Sequence, residues 1–337
     1  MNDRDTIILV TGADGFVGTH LCRSLIKKYT VYAFILPQQE SHFLEKWGKD
    51  STEHLKIIKD KFENLHTYRK LLQEVHYAVH CAGTMLGAQE HNYIESNLIT
   101  TRLLLQNLPT DLKKIVFLSS QSAIGPSPSP DYKLKVSDHP TPISFYGQTK
   151  LLAEKDILNS PRPAIVFRPA SILGPEDKTF LEFFQMADKG RFPILGQKQK
   201  QFQFVYVDDL VSAIELVLFS EQKNKIYHIA HPEIGNWERM RSAMERHLNR
   251  PLRILFINPT LTRWYLKFFD VREAFTGIKT NRNLNKFGEF MAPNWIFDTS
   301  DFEKDTGFKY THNLNETISS TYSWYQRHSW TRPSLTR

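Results

Sequence analysis

The feature that most constrains the fold is a glycine-rich turn near the start of the chain, in the sequence TGADGFVG. It follows a short β-branched run, residues 6–10, and precedes a segment with helical periodicity, residues 17–28. Gly12, Gly15 and Gly18 give this turn a GxxGxxG spacing. Glycines at such a strand–helix junction let the backbone approach a pyrophosphate, which binds the amides of the helix N-terminus. We therefore expect a dinucleotide site here, and a plain turn without a ligand is the alternative.

Strand-like and helix-like segments alternate through the first half of the chain. The predicted strands are residues 6–10, 30–36, 55–59, 77–82, 114–120 and 163–169, and helices are predicted over 92–108 and from 144 onward. This alternation predicts an α/β fold, a Rossmann-type doubly wound parallel sheet with a smaller C-terminal substrate-binding lobe. We predict a NAD(P)-binding domain at residues 1–173 with part of 200–232. The predicted substrate-binding lobe comprises residues 174–199 and 233–337.

The overall charge and the cysteine content exclude several classes of protein. The net charge of +7 comes from scattered basic residues, and the cluster around Lys198 and Lys200 is too short for a nucleic-acid arm. Cys22 and Cys81 lack CxxC spacing, which indicates a reducing compartment. The first apolar run is too short for a signal peptide, and no run approaches ~18 residues. We expect a cytoplasmic protein with no transmembrane segment and no nucleic-acid partner.

The residues after the second and third predicted strands bear on the type of cofactor. Residues 35–37 are Ile, Leu and Pro, so this position offers neither the acid that binds an NAD ribose nor the arginine that binds an NADP phosphate. Asp14 in the turn and the lack of a nearby arginine favour NAD, with NADP left open. Asp60, after the third strand, is a candidate acceptor for the adenine amine, and a helix N-cap role is equally expected.

A serine, a tyrosine and a lysine form the candidate catalytic group. Ser120 ends the fifth predicted strand, where ligands bind in doubly wound sheets. Tyr146 and Lys150 lie four positions apart, which places them on one face of a helix. The lysine charge and an oxidised nicotinamide both favour the phenolate, so the tyrosine is the candidate acid or base. A packed surface pair is the alternative interpretation of Tyr146 and Lys150.

These motifs together resemble an extended short-chain dehydrogenase/reductase of the NAD-dependent epimerase/dehydratase family. TGADGFVG resembles the family's TGxxGxxG, SSQSAIG its SSxxxxG, YGQTK its YxxxK and FRPASILGP its RPxxxxGP. KDKFEN, HCAG, SNLITTRLLL and FVYVDDL resemble further family segments. The resemblance implies a homodimer acting on a small molecule, with cofactor contacts from Gly12, Gly15, Phe16, Val17, Gly18, Asp60, Ala82, Gly83, Asn97, Tyr146, Lys150 and Pro169.

Departures from the family pattern bear on the substrate. Family dehydratases carry an acidic pair beside the active hydroxyl, whereas Gln121 and Ser122 stand here, so we expect no dehydration. Epimerases usually hold a nucleotide diphosphate with an arginine where this chain has Phe202, and with a second one ahead of Asp298. The candidate substitutes for these arginines are Lys198, Lys200 and Arg282.

Three functions remain open at this stage. The first is an epimerase or dehydrogenase of a nucleotide-linked sugar. The second is a reductase or dehydrogenase of an apolar alcohol or ketone, similar to 3β-hydroxysteroid dehydrogenases and dihydroflavonol reductases. The third is a non-catalytic NAD(P)-binding regulator, which the intact Ser120, Tyr146 and Lys150 disfavour.

Two further patterns complete the predictions. His80, His228 and His231 share no ligand spacing, so we expect structural histidines and no metal. A helix over residues 262–275 carries an apolar stripe, which we predict packs on the core of the small lobe. A substrate lid or a basic helix on a membrane surface is the less favoured alternative for this stripe, whose residues are Leu261, Trp264, Tyr265, Phe268 and Phe275, with Arg263, Lys267 and Arg272 elsewhere on the helix.

Overall fold

The computed structural model describes residues 3–38, 53–85, 89–278 and 283–331, which form a parallel seven-stranded sheet covered by helices and a smaller lobe beside it. The strand order is β11-β6-β5-β4-β1-β2-β3. These strands are β1 Ile7–Thr11, β2 Thr30–Ile35, β3 Leu55–Lys59, β4 Tyr77–His80, β5 Lys114–Leu118, β6 Ala164–Pro169 and β11 Lys225–Ile229. The chain winds outward from β1 to β3 and then in the other direction from β4, so the order reverses between β1 and β4. Ligands of such sheets bind at this reversal, beyond the carboxyl ends of the strands.

Helices cover both faces of the sheet and build the small lobe. On one face, Leu21 and Ile214 pack in a core with the buried strand residues Ile8 and Val10, and a second core lies on the opposite face. The helices are α1 Phe16–Leu25, α2 Arg69–Leu72, α3 Glu90–Tyr93, α4 Thr100–Asn107, α5 Phe145–Leu158, α6 Leu181–Asp188, α7 Val207–Leu218, α8 Trp237–Leu248, α9 Pro259–Thr276, α10 Phe287–Met291, α11 Ser300–Thr306 and α12 Leu314–Arg327.

The small lobe has its own aromatic core, in which Phe184 packs edge-on against Tyr322 and Tyr325. Its short strands are β7 Ser171–Leu173, β8 Arg191–Leu195, β9 Gln201–Phe202, β10 Phe204–Tyr206, β12 Gly235–Asn236, β13 Arg253–Ile257 and β14 Asn294–Trp295. Phe302 of α11 instead packs against Phe167 of the central sheet. The C-terminal part of the chain therefore contributes to both cores, and the predicted division into domains stays a prediction.

The predicted Rossmann-type sheet is confirmed, and the boundaries of β1 to β6 lie within two residues of those predicted. The predicted helix over residues 92–108 is divided into α3, a π-helical segment Ile94–Ile99 and α4. Segments of π-helix of this kind are frequent at functional sites. Within the described residues, no helix combines the length and the apolar character needed to cross a membrane.

The predicted burial of the α9 stripe is wrong. Trp264 and Phe268 are 66% and 63% exposed, and Phe275 is 87% exposed. The helix contacts the protein through its other side, where Leu266 and Glu273 are buried. Periodicity identifies which face of a helix is apolar but not which face contacts the protein. Here polar contacts hold the opposite face, such as the hydrogen bond from the Asn92 amide to Glu273.

Candidate active site

The glycine turn forms a close-packed cradle at the carboxyl end of β1. Gly12 adopts a left-handed φ of +66°, and a Cβ there would lie 2.7 Å from the backbone nitrogen of Ala82, after β4. A Cβ at Gly18 would lie 2.1 Å from the carbonyl oxygen of Gly12. Gly15 is the N-cap of α1 and supplies no side-chain cap, so the first amides of this helix lack a side-chain acceptor there. The turn therefore suits the pyrophosphate of a dinucleotide.

Replacing Gly18 by alanine tests this cradle. We expect Gly18→Ala to lower the free energy of unfolding by about 1–3 kcal/mol, because the added methyl displaces the backbone at Gly12. The same displacement should weaken NAD binding, measured by calorimetry on the folded variant. The matched control is Gly288→Ala in α10, where the nearest atoms lie 3.8 Å from the added Cβ. Equal NAD affinities for the two variants would contradict a role of the turn in binding.

The start of α5 packs directly on the turn that carries Ser120. Ser144 is the N-cap of this helix, and its hydroxyl accepts a hydrogen bond from the amide of Gly147 at 3.0 Å. A Cβ at Gly147 would lie 2.2 Å from the carbonyl oxygen of Ser122, so glycine permits this approach. Tyr146, at the start of this helix, and Ser120, on the turn after β5, line the same cavity.

Lys150 lies one turn further along α5 and is buried. Its Nζ donates to the carbonyl oxygen of Leu118 at 2.9 Å, and a Cβ at Gly83 would lie 3.1 Å from it. Asn97, in the π-helical segment, accepts from the amide of Thr84 at 2.8 Å and donates to Thr149. Asn97 therefore holds the segment after β4 against the helix that carries Lys150.

Burial dominates the acid–base properties of the tyrosine and the lysine. It raises the pKa of Tyr146 above its usual value, and the hydrogen bond from Ser120 opposes this only in part. It also lowers the pKa of Lys150 to about 8, while Cys81 and Glu154 act in the opposite direction. The lowering of the phenol pKa by the lysine charge and the oxidised nicotinamide together stays a prediction.

A buried ion pair fixes the elements that carry these groups. Arg168 at the end of β6 contacts Glu154 of α5 through two nitrogens, with Nε–Oε1 2.9 Å and Nη2–Oε2 2.6 Å. The hydroxyl of Ser119 at the end of β5 donates to the same carboxylate. Arg168 and Glu154 are almost fully buried. Together these contacts join β6 and, through Ser119, the end of β5 to the helix that carries Tyr146.

The glycine turn and the Ser120–Tyr146 pair open into one cavity, of about 390 Å³, that extends into the small lobe. Aromatic rings line its far half, where Phe202 packs against Trp237 at 5.1 Å and Trp237 stacks on Phe183. Lys200 also lines it, and Lys200 and Lys150 are the cations among the described lining residues. The Nζ of Lys200 donates to the carbonyl oxygens of Glu289 and Phe290, and burial lowers the pKa of Lys200 to about 8.

Most predicted site residues meet in this cavity. The predicted residues that line it are Gly12, Gly15, Phe16, Val17, Gly18, Gly83, Ser120, Tyr146, Lys150 and Pro169. Ala82 and Asn97 are buried behind the lining. The carboxylate of Asp60 accepts from the amide of Lys61 at 2.7 Å and from the side chains of Asn64 and Tyr68. Direct contacts of these last three with a cofactor stay predictions.

Several lining residues were not predicted from the sequence. Glu289 and Trp295 come from the C-terminal segment, and Asp177 and Phe180 from the connection between β7 and α6. Burial raises the pKa of Asp177 to about 6. None of these positions has a motif of its own, since each reaches the cavity only through the folding of the small lobe. Arg282, a candidate diphosphate ligand, lies outside the described residues, and Lys198 is exposed beside Phe256 instead of lining the cavity.

His80 is held in the fold by side-chain hydrogen bonds, and His228 is buried. His80 bridges the hydroxyls of Thr11 and Thr101, at 2.7 Å and 2.9 Å, and burial lowers its pKa to about 3. Burial likewise lowers the pKa of His228 to about 3. Across the described ranges, no group of three or more His, Cys, Asp or Glu side chains is arranged to hold a metal ion.

Comparisons with known proteins give a consistent result. The model of the NAD dependent epimerase/dehydratase family matches residues 8–230. The uncharacterized UDP-glucose epimerase YtcB of Bacillus subtilis (strain 168) is 30% identical over 235 residues, covering 63% of this chain and 72% of the relative. The decarboxylating sterol-4-alpha-carboxylate 3-dehydrogenase of Mus musculus is 26% identical over 242 residues, covering 66% of this chain and 64% of the relative.

A solved structure resembles the whole chain. UDP-glucuronic acid 4-epimerase from Bacillus cereus, in complex with UDP-glucuronic acid and NAD, superposes with a TM-score of 0.75 at 21% identity. The match covers 96% of this chain and 100% of the other. At this identity it shows that the two chains share a fold.

Proposed function

The chain belongs to the NAD dependent epimerase/dehydratase family, and we propose that it is an NAD-dependent oxidoreductase or epimerase that acts on a secondary alcohol or its ketone. The observation that carries this proposal is that Ser120, Tyr146 and Lys150 line the same cavity as the glycine turn. When bound, NAD supplies reversible hydride acceptance. The NAD-bound state of the similar solved structure supports NAD as the cofactor.

The chain's own residues have separate tasks in this proposal. Ser120 holds the reacting oxygen of the substrate, and Tyr146 takes the hydroxyl proton on oxidation or returns it on reduction. Lys150, one helical turn after Tyr146, provides a positive charge that favours the tyrosinate once the oxidised cofactor adds its own charge. The buried Oε1 of Gln121 has no hydrogen-bond partner among the described residues, and Gln121 lines the cavity, so it suits a substrate hydroxyl. Because glutamine is not a proton acceptor of the carboxylate kind, dehydration is not part of the proposal.

We propose a nucleotide-linked sugar as the leading substrate class. Two relatives named for UDP-sugars support it, one by sequence and one by fold. In the cavity, Lys200 supplies a buried cation for a diphosphate, and the stacked Trp237 and Phe183 supply a flat wall for a base.

An apolar alcohol or ketone is the second candidate. The observation that favours it is the aromatic lining of the far half of the cavity, including Phe202 at the position where epimerases usually carry an arginine. The relative named as a sterol dehydrogenase is in agreement with such a substrate.

A lysine variant separates the two substrate classes. If Lys200 holds a diphosphate, Lys200→Met should raise the KM for a nucleotide sugar about 10- to 100-fold, as expected for loss of a hydrogen bond to a charged group. The matched control is Lys198→Met, because Lys198 lies two positions away and outside the cavity lining. Substrates come from a thermal-shift panel of NAD, NADP, UDP-glucose, UDP-glucuronic acid and a steroid ketone.

The outcomes of this experiment are distinct. A shift with NAD but with no sugar nucleotide, and turnover of the steroid ketone that Lys200→Met leaves unchanged, would overturn the leading substrate and support the second. No shift with either NAD or NADP would contradict the proposed function itself. A homodimer, which the family resemblance implies, stays a prediction.

A further inference from the structure

The helix α9 presents its apolar side to solvent. Trp264, Phe268 and Phe275 are exposed, and Leu261 and Val271 are 68% and 47% exposed on the same arc. The opposite side, with Leu266 and Glu273, faces the protein. An amphipathic helix of a globular protein normally buries its apolar arc, so this orientation identifies an interaction surface.

The charges around this arc have one sign. Arg263 and Lys267 are exposed on α9, and the Nζ of Lys267 lies 5.7 Å from the centre of the Trp264 ring. The two acids of the helix are turned to the inside: Glu273 is buried, and Asp270 accepts from the amide of Leu284. The exposed side of α9 therefore combines large aromatic residues with cations and carries no exposed acid.

Neighbouring elements extend this surface toward the cavity. Phe256, in the strand that leads into α9, is 54% exposed, and Lys198 lies 4.4 Å from its ring centre. The helix also packs against α10, where Phe290 is 44% exposed and lines the cavity. The apolar and basic surface is thus continuous with one wall of the candidate active site.

We propose that α9 docks the protein on an anionic lipid bilayer, with its aromatic arc inserted at the level of the headgroups. Aromatic residues beside lysine and arginine, on a helix that also carries many polar side chains, are the composition of helices that lie in the membrane interface. Anionic headgroups neutralise Arg263 and Lys267, whereas a second copy of the chain on this face would bring the same cations together without an acid. Charge complementarity therefore selects the bilayer over self-association.

Vesicle sedimentation tests this proposal independently of the reaction. The full chain is mixed with vesicles of phosphatidylcholine alone, or of equal parts phosphatidylcholine and phosphatidylglycerol. We expect binding to the anionic vesicles that falls as salt rises. Trp264→Ser/Phe268→Ser/Phe275→Ser should lower the partition coefficient more than about 10-fold, and Leu216→Ser on α7 serves as the matched control.

A second pair of variants tests the charges. Arg263→Gln/Lys267→Gln should lower binding to anionic vesicles about 5-fold for each cation removed. The control, Lys28→Gln/Lys223→Gln, removes two exposed cations near the amino ends of β2 and β11 and should bind as the wild type does. Because all these side chains are exposed, the variants should fold, as checked by thermal unfolding.

Each other outcome overturns the proposal. Absence of binding to either kind of vesicle does so directly. Equal binding to both kinds, unaffected by Arg263→Gln/Lys267→Gln, would exclude recognition of anionic lipid. A wild-type oligomer that the triple serine variant dissociates, with no vesicle binding, would assign the face to a second copy of the chain. None of these results depends on whether the proposed reaction is correct.

Discussion

Replacing Tyr146 by phenylalanine is expected to lower kcat about 10²- to 10⁴-fold and to leave the affinity for NAD nearly unchanged. The change removes only the phenol hydroxyl and keeps the ring that fills the buried position. Turnover is measured with the substrate that the thermal-shift panel identifies, and NAD binding by calorimetry without substrate. The two readouts separate loss of proton transfer from loss of the cofactor site.

The matched control for this variant is Tyr93→Phe. The Tyr93 ring lies 6.4 Å from that of Tyr146 and is also buried, but it does not line the cavity. We expect its kcat to stay within a few-fold of the wild type. If Tyr146→Phe turns over as fast as Tyr93→Phe, another group moves the proton and the assignment of Tyr146 is wrong.

The direction in which turnover changes with pH follows from the protonation state of Tyr146. Burial raises the pKa of Tyr146, so the phenol is protonated at neutral pH in the protein alone. Reduction needs the phenol and should slow as pH rises, whereas oxidation needs the phenolate and should accelerate as pH rises. The residual activity of Tyr146→Phe should lose both dependences.

The sheet was predictable because its strands combine buried β-branched runs with strong termination signals. Leu55–Lys59 was predicted with the observed bounds, and Pro37 and Gly12 ended their strands close to the predicted positions. The placement of Ser120 and Tyr146 in one cavity was predictable for a similar reason. A strand end and a helix start next to each other in a doubly wound sheet leave little freedom for the groups they carry.

The far half of the cavity, which aromatic rings line, was not predictable in this way. Glu289 and Trp295 reach the lining from far along the chain, through β14 and α10, and no periodicity records such a contact. Lys200 was considered as a diphosphate ligand because of its charge. Its buried ammonium donates to the carbonyl oxygens of residues 289 and 290, and no sequence pattern indicates this contact.

The orientation of α9 was also not predictable from the sequence, although its apolar face was. Its apolar arc was identified correctly from the spacing of Trp264 and Phe268, but the arc faces solvent. A hydrophobic pattern states that a face avoids water, and a protein core and a lipid interface satisfy it equally. The pattern therefore specified the surface but not its occupant.

Replacing Arg168 by methionine is expected to lower the free energy of unfolding by about 3–5 kcal/mol. The variant leaves the Glu154 carboxylate buried, with the hydroxyl of Ser119 as its remaining partner from the present contacts. An uncompensated buried charge is costly, whereas replacing both members of a pair by apolar side chains is often nearly neutral. Chemical denaturation of Arg168→Met and of Arg168→Met/Glu154→Met measures the two cases, and the double variant should recover most of the loss.

The control is a surface ion pair between α4 and α5, the helix that carries Glu154. Arg102 contacts Asp156 at 2.7 Å, with side chains that are 49% and 29% exposed, so Arg102→Met should cost about 0–1 kcal/mol. Equal losses in the free energy of unfolding for Arg102→Met and Arg168→Met would show that burial does not increase the cost of breaking the Arg168–Glu154 pair.

The double variant also separates stability from the geometry of the site. Arg168 and Glu154 join β6, α5 and, through Ser119, the end of β5, which are the elements that bring Ser120 and Tyr146 together. Methionine side chains can fill the space but cannot hold the strand and helix by directed hydrogen bonds. We therefore expect kcat of Arg168→Met/Glu154→Met to stay well below the wild-type value although stability returns. Recovery of both quantities together would limit the ion pair to a role in stability.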